Sequence, residues 1–122
     1  MFVNTVMAVV ASCITACGIC RLIHQRLTTR VVLNATLAGG VAIGSVQSLI
    51  VPAYIAMSIG AAGGFVATIG ELKLGQVFKE RFKLHDTCGV NNLHGMPGIV
   101  GGLAGGLAAT LSTQTFNEDV LN

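Results

Sequence analysis

Four apolar stretches dominate this chain: Phe2 to Cys20, Val31 to Val51, Ala53 to Leu72 and Thr87 to Leu111. Each holds about the 20 residues that a helix needs to cross hydrocarbon. Charged residues make up only 10% of the 122-residue sequence, against about a quarter in soluble domains, so the chain lacks the means to cover itself with a polar surface in water. The sequence therefore predicts an all-α membrane protein with transmembrane helices at about 2–20, 31–51, 53–72 and 87–111. Met1 is followed by Phe-Val-Asn rather than a basic region, and no small-residue cleavage pattern is evident, so the first stretch reads as a retained helix rather than a signal peptide.

Charge sets the expected orientation. All seven basic residues fall in two places, Arg21, Arg26 and Arg30 after the first stretch, and Lys73, Lys79, Arg81 and Lys83 after the third. The positive-inside rule places both loops, 21–30 and 73–86, in the cytoplasm. The linker at Pro52 is short enough only for an outer turn, and the tail 112–122 carries Glu118 and Asp119 with no basic residue. Both termini are thus expected outside. The formal charge of +2 reflects this topology rather than affinity for nucleic acid, since no basic stripe interleaved with aromatics is present.

Glycines recur at four-residue intervals: Gly40 and Gly44, Gly60 and Gly64, then Gly98, Gly102 and Gly106, with Gly101 and Gly105 beside them. In lipid such spacing lets helix backbones approach closely, where van der Waals contact drives association. The last helix is expected to pack against protein through Gly98, Gly101, Gly102, Gly105 and Gly106.

That helix also carries the chemistry. Asp86 has the character of an N-cap, its carboxylate accepting from amides of the first turn and favouring the positive helix end. Eight residues on, about 12 Å at the helical rise, stands His94, an ionisable group at membrane depth and so a functional-site hypothesis by default. Asn91 and Asn92 add polar atoms one turn below. Pro97 has no amide hydrogen to offer the carbonyl of Leu93, which predicts a kink beside the imidazole. Free polar backbone at that depth is tolerated where it is buried in protein or lines a water-filled cavity.

With these residues in view, Asp86 to Gly102 resembles the signature of the Rh glycoprotein branch of the ammonium transporter family, the pattern Asp-x-Cys-Gly-x-Asn-Asn-Leu-His-Gly-x-Pro-Gly being present without a gap. Asn34-Ala-Thr-Leu-Ala-Gly-Gly-Val-Ala-Ile-Gly44 is similar to the opening of an earlier helix in the same proteins. The resemblance runs along essentially the whole chain. It implies four consecutive helices from the second half of a fold of eleven or twelve helices built as two inverted repeats, found in a multi-pass plasma-membrane protein that forms trimers.

By this resemblance His94 is similar to the second of the family's paired pore histidines, with Asn91, Asn92 and Leu93 beside it in the pore. Ammonia or ammonium passage is what the resemblance implies, the cation giving up its proton at or before the histidines. The physics agrees, since a bare cation in low dielectric is prohibitive whereas a neutral amine needs only the donor or acceptor that an imidazole offers. The first repeat, with the partner histidine and an aromatic gate, has no counterpart in the sequence, so the chain is expected to conduct only with another segment facing it, in a homotrimer or hetero-assembly. The alternative is a non-conducting assembly or regulatory subunit that binds full-length relatives.

Other chemistries find little support. Cys13, Cys17, Cys20 and His24 fall on one helical face but spread over about 16 Å, too far to surround a tetrahedral zinc. His24, His85 and His94 offer no pair at matching depth for haem. No nucleophile, base and orienting group converge, so no enzyme activity and no cofactor are expected.

Overall fold

The computed structural model describes residues 2–23, 25–46, 52–74, 77, 80–81 and 90–121. It is all-helical among these residues. Helix α1 spans Phe2–Leu22, α2 Thr29–Gly44 and α3 Ala53–Ile69, the last continuing as a π-helical turn over Gly70–Leu74. A second π-helical turn, Asn91–Gly95, leads into α4, Met96–Leu121. Among the described residues two stretches, Phe2–Leu22 and Ala53–Lys73, are long and apolar enough to cross a bilayer.

Local sequence explains the helix starts. Thr28 has the extended backbone of a cap, and its hydroxyl accepts from the Val31 amide at 3.4 Å, satisfying one of the free donors of α2. Pro52 stands in the same place before α3, where its fixed φ suits the extended conformation.

Two elements differ most from those expected. The helix expected over 31–51 begins at Thr29 and ends at Gly44, because the chain tightens there: the Val46 amide bonds the Ile43 carbonyl at 3.0 Å and closes a short turn. The segment 112–121, expected as a tail, is helical to Leu121. It contains neither Gly nor Pro, so nothing in it stops the helix.

Successive helices run antiparallel, and two small clusters hold their ends. Ala8, Ile43, Val46 and Ala56 form one, with Ile59, Ala104 and Ala108 against it; Ala16, Cys20, Val31 and Ala35 form the other, capped by Leu72. The second cluster lies at the end of the bundle that carries Arg21 and Arg30. Residues this small place backbones in direct contact, which is how helices associate where no hydrophobic force separates protein from solvent.

Ser12 is the clearest case. Its hydroxyl donates to the Ala35 carbonyl at 2.5 Å, and the residue is wedged between two glycines. A Cβ on Gly39 would stand 2.7 Å from the Ser12 Cβ, and one on Gly64 2.5 Å from its Oγ. Ser45 repeats the device toward α4, donating to the Gly101 carbonyl while a Cβ on Gly105 would lie 3.2 Å from its own Cβ.

The glycines divide by face rather than by spacing. Gly101 and Gly105 lie against α2, and Gly60, Gly63 and Gly64 against α1 and α2, but Gly98, Gly102 and Gly106 face open space, as do Gly40 and Gly44. This corrects the packing expected for Gly98, Gly102 and Gly106. A one-residue step rotates a helical position by about 100°, so Gly102 turns away from the contact that Gly101 makes. Ile99, Leu103 and Leu107 share that open side and are exposed.

Candidate functional site

His94 sits in the π-helical turn Asn91–Gly95. Asp86, the expected cap, lies outside the described residues. The turn has a local cause at Pro97, which is buried and brings no amide hydrogen, so the carbonyls of Asn92 and Leu93 face one donor fewer. The chain answers by widening: the Met96 amide reaches back five residues to the Asn91 carbonyl, the bond that defines a π turn. Such turns are frequent at functional sites.

Widening sends neighbouring side chains opposite ways. Asn91 and His94 are exposed on one face, whereas Asn92 and Leu93 are buried on the other. The four residues expected to share a pore therefore do not share a surface. Asn91 lies along its own helix, with its Oδ1 2.9 Å from where a Cβ on Gly95 would be. Glycine at 95 leaves that face low and open beside the imidazole.

Asn92 points into the bundle. It is 4% exposed, and its Oδ1 has no hydrogen-bond partner among the described residues. It packs on the other π turn, where a Cβ on Gly70 would stand 2.6 Å from that Oδ1 and 2.9 Å from its Cγ. The two irregular turns thus touch through Gly70 and Asn92, one turn at the end of α3 and one at the start of α4.

A charged cluster adjoins this junction. Glu71, next to Gly70, lies 3.6 Å from the Arg30 guanidinium and accepts from the Asn34 amide at 3.4 Å. Its side chain is 15% exposed against 64% for Arg30. Thr68, one turn earlier, is 2% exposed, with its Oγ1 unpartnered among the described residues. Sequence reasoning passed over Glu71, Gly70 and Thr68. The signal for Glu71 was available: it is the one acidic residue inside the four apolar stretches, and ionisable groups in membrane segments are rare and paired.

On α1, Cys20 is buried and Cys17 exposed, with Cys13 between, all three as free thiols. Among the described residues no three histidine, cysteine or acidic side chains gather to hold a metal.

The chain resembles known proteins along its length. Residues 1–121 match the family model described as Ammonium Transporter Family. Ammonium transporter Rh type A of Bos taurus is 43% identical over 95% of this chain and 29% of its own length. Ammonium transporter Rh type C of Homo sapiens is 37% identical over 98% of the chain and 26% of its own. The Rh50 structure of Nitrosomonas europaea, described as bearing on conduction by the Rhesus family of channels, superposes with a TM-score of 0.78 at 39% identity, covering 84% of this chain and 27% of that one. The chain spans less than a third of the length of these relatives. The family model spans residues 1–121, and on that match the chain belongs to the ammonium transporter family.

Proposed function

We propose that Asn91 and His94 form one wall of a passage for ammonia or ammonium across the bilayer, with Asn92 and Leu93 supporting that wall from behind. The observation that carries this reading is the split at the π turn. A polar imidazole and a carboxamide face outward from the helix cluster, between the exposed apolar Val90 and Ile99, and His94 has no partner among the described residues. A polar face of this kind at membrane depth is stable only against protein or water. The facing wall comes from a segment beyond these helices, in the same polypeptide or another.

An imidazole presents one donor and one acceptor in its neutral form. That suits a neutral amine, which exchanges hydrogen bonds with the ring and needs no counter-charge. A hydrated ammonium ion would have to shed its water at high cost, so the proton is given up before the narrow part. The membrane-embedded family setting supports four spans in the second inverted repeat, with the basic loops in the cytoplasm, both termini outside and assembly as a trimer or hetero-oligomer in the plasma membrane.

The test is a chimera. Residues 1–121 replace the matching segment of the bovine Rh type A relative, the product is placed in vesicles, and internal alkalinisation is followed after an ammonium jump. Flux that His94→Ala abolishes is expected. Flux that persists unchanged in His94→Ala would overturn the reading and favour a subunit that only assembles with relatives.

A further inference from the structure

We propose that Glu71 is a positioning residue for His94, acting through the contact between Gly70 and Asn92. The inference rests on the reading that His94 faces the passage. It concerns how the imidazole is held there.

The chain of contacts is short. Glu71 ties the π turn of α3 to α2 by two links, the Arg30 guanidinium at 3.6 Å and the Asn34 amide at 3.4 Å. The backbone of Gly70, one residue earlier, is the surface on which Asn92 rests, so close that a single added carbon would stand 2.6 Å from its Oδ1. Asn92 belongs to the turn whose opposite face bears His94. Moving the end of α3 therefore moves the support behind the imidazole.

Asn92 follows that support because its carboxamide rests directly on Gly70. Its Oδ1 is buried and accepts no hydrogen bond among the described residues, so packing against Gly70 sets where the side chain sits. A π turn is also a soft place in a helix, having exchanged the regular bonding pattern for a wider one. Both turns at this junction are of that kind. Glu71 is the polar group that pins one of them to a regular helix, α2, beside Leu72 of the same turn, which packs against the cluster holding Val31 and Ala35, and so helps fix the reference against which the other is placed.

The test uses the 122-residue chain in lipid nanodiscs, with the ring resonances of His94 and Tyr54 followed by NMR. The His94 signal is assigned by its loss in His94→Ala. Tyr54, in the first turn of α3, reports on the far end of the same helix. Glu71→Ala and Gly70→Ala are expected to displace the His94 resonance and leave Tyr54 in place, with Glu71→Gln, which still offers Asn34 an acceptor, displacing it less. An unmoved His94 in both, or an equal displacement of Tyr54 as general loosening would give, overturns the proposal. If Glu71→Ala does not fold, Glu71→Gln and Gly70→Ala are judged by the same standard. In the chimera, Glu71→Ala is expected to lower the maximal flux several-fold with the half-saturating ammonium concentration unchanged. Loss of the passage reading through an inert His94→Ala leaves the resonance test intact, so the two failures are distinguishable.

Discussion

The carboxamide of Asn92 occupies the space that a Cβ on Gly70 would need, with its Oδ1, Cγ and Cβ at 2.6, 2.9 and 3.3 Å from that point. Glycine at 70 and asparagine at 92 are thus a matched pair, each tolerable because of the other. Overpacking a tight interior costs about 1–3 kcal/mol. Gly70→Ala is expected to lower stability in lipid by that amount, and Gly70→Ala combined with Asn92→Ala to recover most of it. Reversible unfolding by steric trapping measures both, and additive losses would break the pairing.

Gly60 and Gly102 should respond in opposite ways to the same substitution. A Cβ on Gly60 would stand 2.5 Å from the Ala8 Cα and closer still to its carbonyl oxygen, whereas Gly102 has nothing within 4 Å. Backbone has no rotamer to yield, so Gly60→Ala is expected to cost about 3 kcal/mol, at the upper end of overpacking penalties. Gly102→Ala is expected to be neutral or to stabilise by up to about 1 kcal/mol, the intrinsic helix preference of alanine. Thermal unfolding of both variants in one detergent decides it.

Ser12 and Ser45 each bond a carbonyl of the next helix, Ala35 and Gly101 respectively. Hydrogen bonds between membrane helices average about 0.6 kcal/mol and reach about 1.7. Ser12→Ala is expected near the upper figure, since the residue also fills the space between Gly39 and Gly64, and Ser45→Ala nearer the lower, that residue being exposed. A larger loss for Ser45→Ala would reverse that ranking.

Pro97 sets the form of the turn before it. Replacing it by alanine restores an amide hydrogen, and the α-helical register would pair that amide with the Leu93 carbonyl. Pro97→Ala is expected to convert the π turn toward regular helix, seen as slowed hydrogen exchange at position 97 and a displaced His94 resonance. Ammonia flux in the chimera is expected to fall even though stability rises.

The fold was legible where composition speaks and obscure where a face must be chosen. Spans near 2–20 and 53–72 follow from runs of apolar residues, and the observed α1 and α3 differ from them by a few residues. The early stop of α2 was hidden because Ser45 and Val46 are as compatible with helix as their neighbours; a tertiary bond from Ser45 to α4 accompanies the turn. Glycine spacing told that backbones approach but not which glycines do so, because Gly101 and Gly102 both fit four-residue series. His94 and Pro97 were conspicuous in sequence. That Asn91 and Asn92 point to opposite sides was not, since it depends on a π turn whose register no periodicity of 3.6 describes. Glu71 was overlooked because it stands beside Lys73 at a span's edge, where charge reads as an interface marker.

The π turn at Asn91–Gly95 holds one residue more than regular helix would over the same rise. Removing a single codon there would let the turn close into regular α-helix with the helix on either side kept nearly in phase. The extra residue is taken up within the turn itself, so the seam at Gly101 and Gly105 would stay where it is while the imidazole and its immediate neighbours were re-aimed.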